Sequence, residues 1–255
     1  MVTIAACQQL QQSWLTALAA ATGGRTFATH ESPWVWLPAR RSLVLVYPQR
    51  ISPAGIRPAL AEARRLGARS ASAWLNNAVE GGPLEAFGFQ RGPQPIWMSA
   101  PVQAPQDYAA DAAAVEPAPP EVTGPDAREL VVGHGHPRQA WHLGARSGGK
   151  LVGRAWVYVP DTGAAGAGSV QPTGPAAGSE AGTGKLAGIF GLAVGPASRR
   201  SGFGSALLSR AAAVAETAGA DRLAVNAAPQ GQELCAARGF ELIGRGQHLS
   251  LVLGR

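Results

Sequence analysis

Cysteine is almost absent from this 255-residue chain, which carries only Cys7 and Cys235. Two thiols exclude a disulfide framework and suit a reducing compartment, so a cytoplasmic location is expected. Lysine is as scarce, with Lys150 and Lys185 the only two among 22 basic residues. The net charge of +6 therefore rests on scattered arginine, and no compact basic tract announces DNA or RNA. Arg57, Arg64, Arg65 and Arg69 form the densest basic stretch, which a solvated helix face explains. Long apolar runs are missing too. Residues 1–18 are interrupted by Gln8, Gln9, Gln11 and Gln12 and have no basic start, so they read as neither signal peptide nor membrane span. No metal site is expected, and oligomeric state stays open.

What is present is 46% hydrophobic residue content, enough for sizeable cores, and two stretches of biased composition. Residues 101–128 are Pro-rich and acidic, which predicts an extended linker, drawn at 106–128. Residues 161–184 are almost wholly Gly, Ala, Ser, Thr and Pro. Such a segment buries too little apolar surface to offset its ordering entropy, so a flexible insertion is expected there. It interrupts a hairpin predicted between residues 150–159 and 186–194.

Residues 188–204 read as an apolar strand passing through the Pro196 turn into an Arg/Gly loop and a helix. Backbone N–H groups converging at a helix N-terminus meet the positive end of its dipole, an arrangement suited to phosphate. Gly202 and Gly204 carry no Cβ to obstruct close approach. The bare six-residue spacing from Arg199 to Gly204 is expected about once by chance in so Arg- and Gly-rich a chain. It does recur from Gln171 to Ala176, but with no strand before it and Pro175 where a helix must start. Context favours the first match. After it, Phe203, Leu207, Leu208, Ala211, Val214, Ala215 and Ala218 recur at steps of three and four, and Gly219 stops the helix. A strand at 222–226, a short helix at 230–238, the Gly239-Phe240 pair and a strand at 241–253 follow.

This segment resembles the acyl-CoA-binding half of the GNAT superfamily of N-acetyltransferases, in its Val194-x-Pro196 step, its Arg199 to Gly204 loop and its Gly239-Phe240 pair. The resemblance implies a GNAT-like acyl-CoA N-acyltransferase fold of the mixed α+β class, with a central, mostly antiparallel sheet flanked by helices. It also implies that Arg199, Arg200, Ser201, Gly202, Phe203, Gly204 and Ser205 hold the CoA pyrophosphate. Leu192, Ala193 and Val194 would pair with the pantetheine arm and polarise the thioester carbonyl. The plainer reading is a Gly-rich turn in an ordinary α/β domain.

Two departures bear on chemistry. The Tyr that often protonates the departing thiolate is replaced by Cys235, and Ala228 stands where an Asn often contacts CoA. A thiol with a pKa of about 8.5 can leave with little help, so the first change does not end the chemistry. Cys235 itself is open to two readings, a catalytic thiol or a small buried hydrophobe. No ionisable side chain lies on 189–194 to serve as general base, which leaves Glu233, His134, His136 and His142 as candidates.

The N-terminal half echoes this order. A helix over 59–66, a strand over 70–75, a short helix over 83–87, Gly88-Phe89 and a strand over 95–98 match residues 211–253. Two tandem GNAT-like units are therefore expected, at 1–105 and 129–255. The first lacks the Arg/Gly loop between Tyr47 and Gly55, so it reads as a degenerate copy that walls one side of an acceptor cleft. Trp14, Trp34, Trp36, Trp74 and Trp97 all lie in it, mostly as core, with one or two available to line the cleft. The expected activity is direct transfer of an acetyl group from acetyl-CoA to a primary amine, on a small molecule or peptide. A non-catalytic acyl-CoA-binding protein is the alternative.

Overall fold

The computed structural model describes residues 1–107, 115–117, 125–161 and 184–254. The insertion predicted at 161–184 lies outside the described residues but for its ends, as do 108–114 and 118–124 of the predicted linker.

The first helix, α1 (Ile4–Ala21), begins where the Thr3 hydroxyl accepts the Ala6 N–H at 3.2 Å. It stops at Thr22 and Gly23, the latter at φ +76. Cys7, Leu10, Gln11, Trp14, Leu15 and Leu18 recur at helical spacing and form its buried stripe. A meander of β1 (Arg25–Thr29), β2 (Ser32–Leu37) and β3 (Ser42–Val46) follows. Helix α2 (Pro53–Arg65) crosses over to β4 (Ser70–Asn76), parallel to β3. Short α3 (Gly82–Glu85), β5 (Gln90–Arg91) and β6 (Ile96–Pro101) complete the first half.

The second half adds β7 (Val115–Pro117), α4 (Pro125–Glu129), β8 (Ala140–Ser147), β9 (Lys150–Tyr158) and β10 (Leu186–Val194). Helix α5 (Phe203–Thr217) then crosses over to β11 (Arg222–Ala227), parallel to β10, and α6 (Pro229–Ala236) leads into β12 (Glu241–Val252). The predicted hairpin is the antiparallel β9–β10 pair.

Among the described residues all twelve strands join one sheet, ordered β1-β2-β3-β4-β12-β6-β11-β10-β9-β8-β7, with β5 beside β12. Outward from the antiparallel β12–β6 junction the flanks correspond, β4-β3-β2-β1 on one side and β11-β10-β9-β8 on the other. Each half has sent its last strand to the other: β6 of the first half pairs with β11, and β12 pairs with β4. The repeat in the sequence gives the order of the elements but not this exchange, because pairing partners leave no local mark.

Alternation along the strands builds three cores. Leu43, Leu45, Trp34 and Trp36 point to α2; Ala187, Ile189, Leu223 and Val225 join Leu207, Leu208 and Ala211 of α5. The opposite face carries Val44, Val46, Trp97, Trp156, Tyr158, Phe190 and Ala224 from both halves, and α1 packs onto it. One helix thus covers the sheet where the halves meet.

Candidate acyl-donor and acceptor site

Strand β10 starts with partners on both edges and ends with one. Leu186 to Ile189 pair in parallel with Arg222 to Val225, and there the β11 ladder stops. On the other edge β9 pairs as far as Val194, across an irregularity between Phe190 and Ala193 in which Gly191 takes φ +62. Leu192, Ala193 and Val194 consequently offer a strand edge toward an opening between β10 and β11. Ala193 is exposed, while Leu192 and Val194 are half-buried. At the equivalent place in the first half, β3 and β4 stay paired through Val46 and Trp74, and the Tyr47 N–H donates to the Trp74 carbonyl at 2.9 Å. Only the second half opens.

The chain then turns through a 3-10 segment, Pro196–Ser198, into exposed Arg199, Arg200 and Ser201. The Arg199 Nε donates to the Val194 carbonyl at 3.3 Å, folding the loop against the strand end. Arg200 lies at φ +65 and Gly202 at φ +83. Gly202 is the N-cap of α5, and no side chain caps that end. The first helical bond of α5 runs from the Ala206 N–H to the Gly202 carbonyl at 3.0 Å. The amides of Phe203, Gly204 and Ser205 precede it and are the unpaired donors of a helix start. A Cβ at Gly204 would lie 2.8 Å from Leu234 Cδ2, so this glycine also admits α6 against α5. Ser205 is buried, leaving its amide to face the loop.

The two candidates on α6 diverge. Glu233 is exposed. Cys235 is 1% exposed within the α5 core, and burial pushes its thiol up to about 11, the behaviour of a core side chain. His134, the last residue of a 3-10 turn (Leu130–His134), and His136 in the loop after it are exposed, whereas His142 is buried with its ring 4.7 Å from that of Trp156.

A cavity of about 410 Å³ lies on the α1 face, where the halves meet. Gln11, Trp14 and Leu15 of α1 roof it, Val44, Ser72 and Trp74 of β3 and β4 wall one side, and Arg154, Trp156, Phe190 and Gly191 of β9 and β10 wall the other. Arg40 and Asn226 also line it. Trp14 stacks on Phe190 at 5.5 Å with 4° between the planes, and meets Trp156 at 5.4 Å and Tyr158 at 5.3 Å. The Tyr47 hydroxyl donates to Gln11 Oε1 at 2.6 Å, and Asn226 Nδ2 donates to the same oxygen at 3.0 Å. Arg40 donates through Nε and Nη2 to Glu129, a carboxylate only 1% exposed. Of the five tryptophans of the first half, expected mostly as core, Trp14 and Trp74 line the cavity, while Trp34, Trp36 and Trp97 are core. Arg154 and Trp156 were missed, although their spacing of two on a predicted strand puts them on one face. Gln11 was legible only as a polar interruption of an apolar helix.

Residues 107–240, more than half of the chain, match the model of the acetyltransferase (GNAT) family. The chain belongs to that family, and its sheet flanked by helices is the GNAT-like α+β fold. Among solved structures, a GCN5-related N-acetyltransferase from Kribbella flavida is 17% identical with a TM-score of 0.60, covering 100% of this chain and 98% of its own. A functionally unknown conserved protein from Staphylococcus epidermidis ATCC 12228 is 13% identical with a TM-score of 0.55, covering 89% and 93%. At such identities the likeness is one of fold. No curated protein matches the sequence. Among the described residues, no helix is long and apolar enough to cross a membrane.

Proposed function

We propose that this protein transfers an acetyl group from acetyl-CoA to a primary amine by direct attack, in the cytoplasm, with residues 129–255 as the catalytic unit and 1–105 as a degenerate unit shaping the acceptor side. The observation that carries the reading is the opening between β10 and β11, set against an uncapped helix start and beside the α1-face cavity, whose lining includes Phe190 and Gly191. The amides around Arg199 to Ser205 and the exposed guanidinium groups of Arg199 and Arg200 suit a pyrophosphate. The edge from Leu192 to Val194 suits an amide-bearing arm and supplies N–H donors for the oxyanion of a tetrahedral intermediate. Holding donor and amine in one cleft accounts for transfer without a covalent enzyme intermediate.

Calorimetric titration of acetyl-CoA tests it. Micromolar binding is expected for the wild type, and a loss of at least about tenfold for Gly202→Glu, whose side chain enters a left-handed position and repels phosphate. Absence of binding to the wild type overturns the reading. The burial of Cys235 and the lack of any ionisable side chain on residues 189–194 favour one second reading, a protein that binds acyl-CoA without turnover. Release of CoA thiol in the presence of an amine decides against it.

A further inference from the structure

Among the described residues the lining of the α1-face cavity contains two guanidinium groups, Arg40 and Arg154, and no carboxylate, with Glu129 behind Arg40 the partner of that guanidinium. We infer that the acceptor is an amine that also bears an oxyanion, on an apolar or aromatic body, and that Arg154 is the residue selecting it; this rests on the acetyltransferase reading above. Arg154 lies on β9 directly opposite Ala193 of the donor edge and two residues from Trp156, hence on the cavity face of the sheet. An anion held there sits beside the strand at which transfer is proposed. Arg40 approaches from the first half, oriented by the buried Glu129 through Nε and Nη2, which leaves its Nη1 uncommitted among the described residues. The body of the acceptor meets Trp14, Trp74, Trp156 and Phe190, rings suited to apolar or aromatic groups.

The same lining disfavours polycations. An aminoglycoside or polyamine brings several ammonium groups and needs carboxylates or carbonyl clusters to receive them, whereas here it meets arginine. A carboxylate and a phosphate share the chemistry that arginine recognises.

The test is a matched panel assayed by CoA thiol release: phenylalanine against phenethylamine, phosphoethanolamine against ethanolamine, and spermidine as the polycation. At least one oxyanion-bearing member is expected to exceed its neutral counterpart about tenfold or more in kcat/KM, and which pair responds separates carboxylate from phosphate. Arg154→Gln should raise KM for that member about tenfold and leave its neutral counterpart within about twofold. Arg40→Gln is avoided because it strands the Glu129 carboxylate. Quenching of tryptophan fluorescence by the same amines, with CoA present, reads binding separately from turnover. Preference for neutral amines or spermidine, equal loss on both members in Arg154→Gln, or neither quenching nor turnover with every oxyanion-bearing member overturns the proposal. Failure of the acetyltransferase reading is distinct, since it appears as loss of acetyl-CoA binding before any amine is added.

Discussion

Single residues in this protein separate into those that hold the interior and those that shape the cleft, and the two thiols belong to the interior. Burial raises Cys7 to about 12 and Cys235 to about 11. Both are therefore neutral at pH 8 and shielded, so neither should react with a disulfide reagent until the chain unfolds; thiol titration with and without denaturant checks this. The sign of the pH dependence follows. Unfolded thiols ionise near pH 9 and the folded ones resist, so their contribution to stability is complete below pH 9 and is lost as pH rises through about 11 to 12. Denaturant midpoints measured from pH 8 to 11 should fall, and Cys235→Ala should flatten part of that fall. Arg40 is the converse case, a partly exposed cation whose removal strands Glu129. Arg40→Ala is expected to cost about 1–3 kcal/mol, with Arg40→Ala/Glu129→Gln recovering part of it in the same unfolding assay.

At the scale of elements, the loop after β10 and helix α5 were legible because their marks are local. Proline at 196, glycine at 202 and the apolar rhythm of α5 are all readable in a short window. The opening of β10 away from β11 was not, since it depends on where a ladder ends, and Gly191 is one glycine among 33. The α1-face cavity was legible least of all. Its lining comes from positions as distant as Gln11, Ser72, Arg154 and Asn226, which only the sheet assembles. A related expectation concerns α1. The Trp14 ring contacts Phe190, Trp156 and Tyr158 at once, so Trp14→Ala should cost about 3–5 kcal/mol by thermal or chemical unfolding. Trp14→Phe should restore most of it.

At the scale of the whole molecule, the exchange of β6 and β12 makes the halves interdependent. A fragment ending before residue 125 has β4 without its partner β12, and β6 without β11. Each fragment alone exposes unpaired central strand edges, a template for aggregation. Residues 1–107 and 125–255 expressed separately are therefore expected to be insoluble or unfolded, and their co-expression to yield one soluble complex with native-like circular dichroism.

Traded terminal strands are also what a domain-swapped homodimer contains, here carried on a single polypeptide. In a dimer of identical chains every substitution appears twice, so a lost phosphate loop would disable both copies. Covalent fusion removes that symmetry: one copy can close its β3–β4 junction and become a scaffold while the other keeps its gap. The first half is thus free to accumulate changes at Arg40, Ser72 and Trp74 that tailor the chamber without touching β10, a division of labour that paired identical subunits cannot reach.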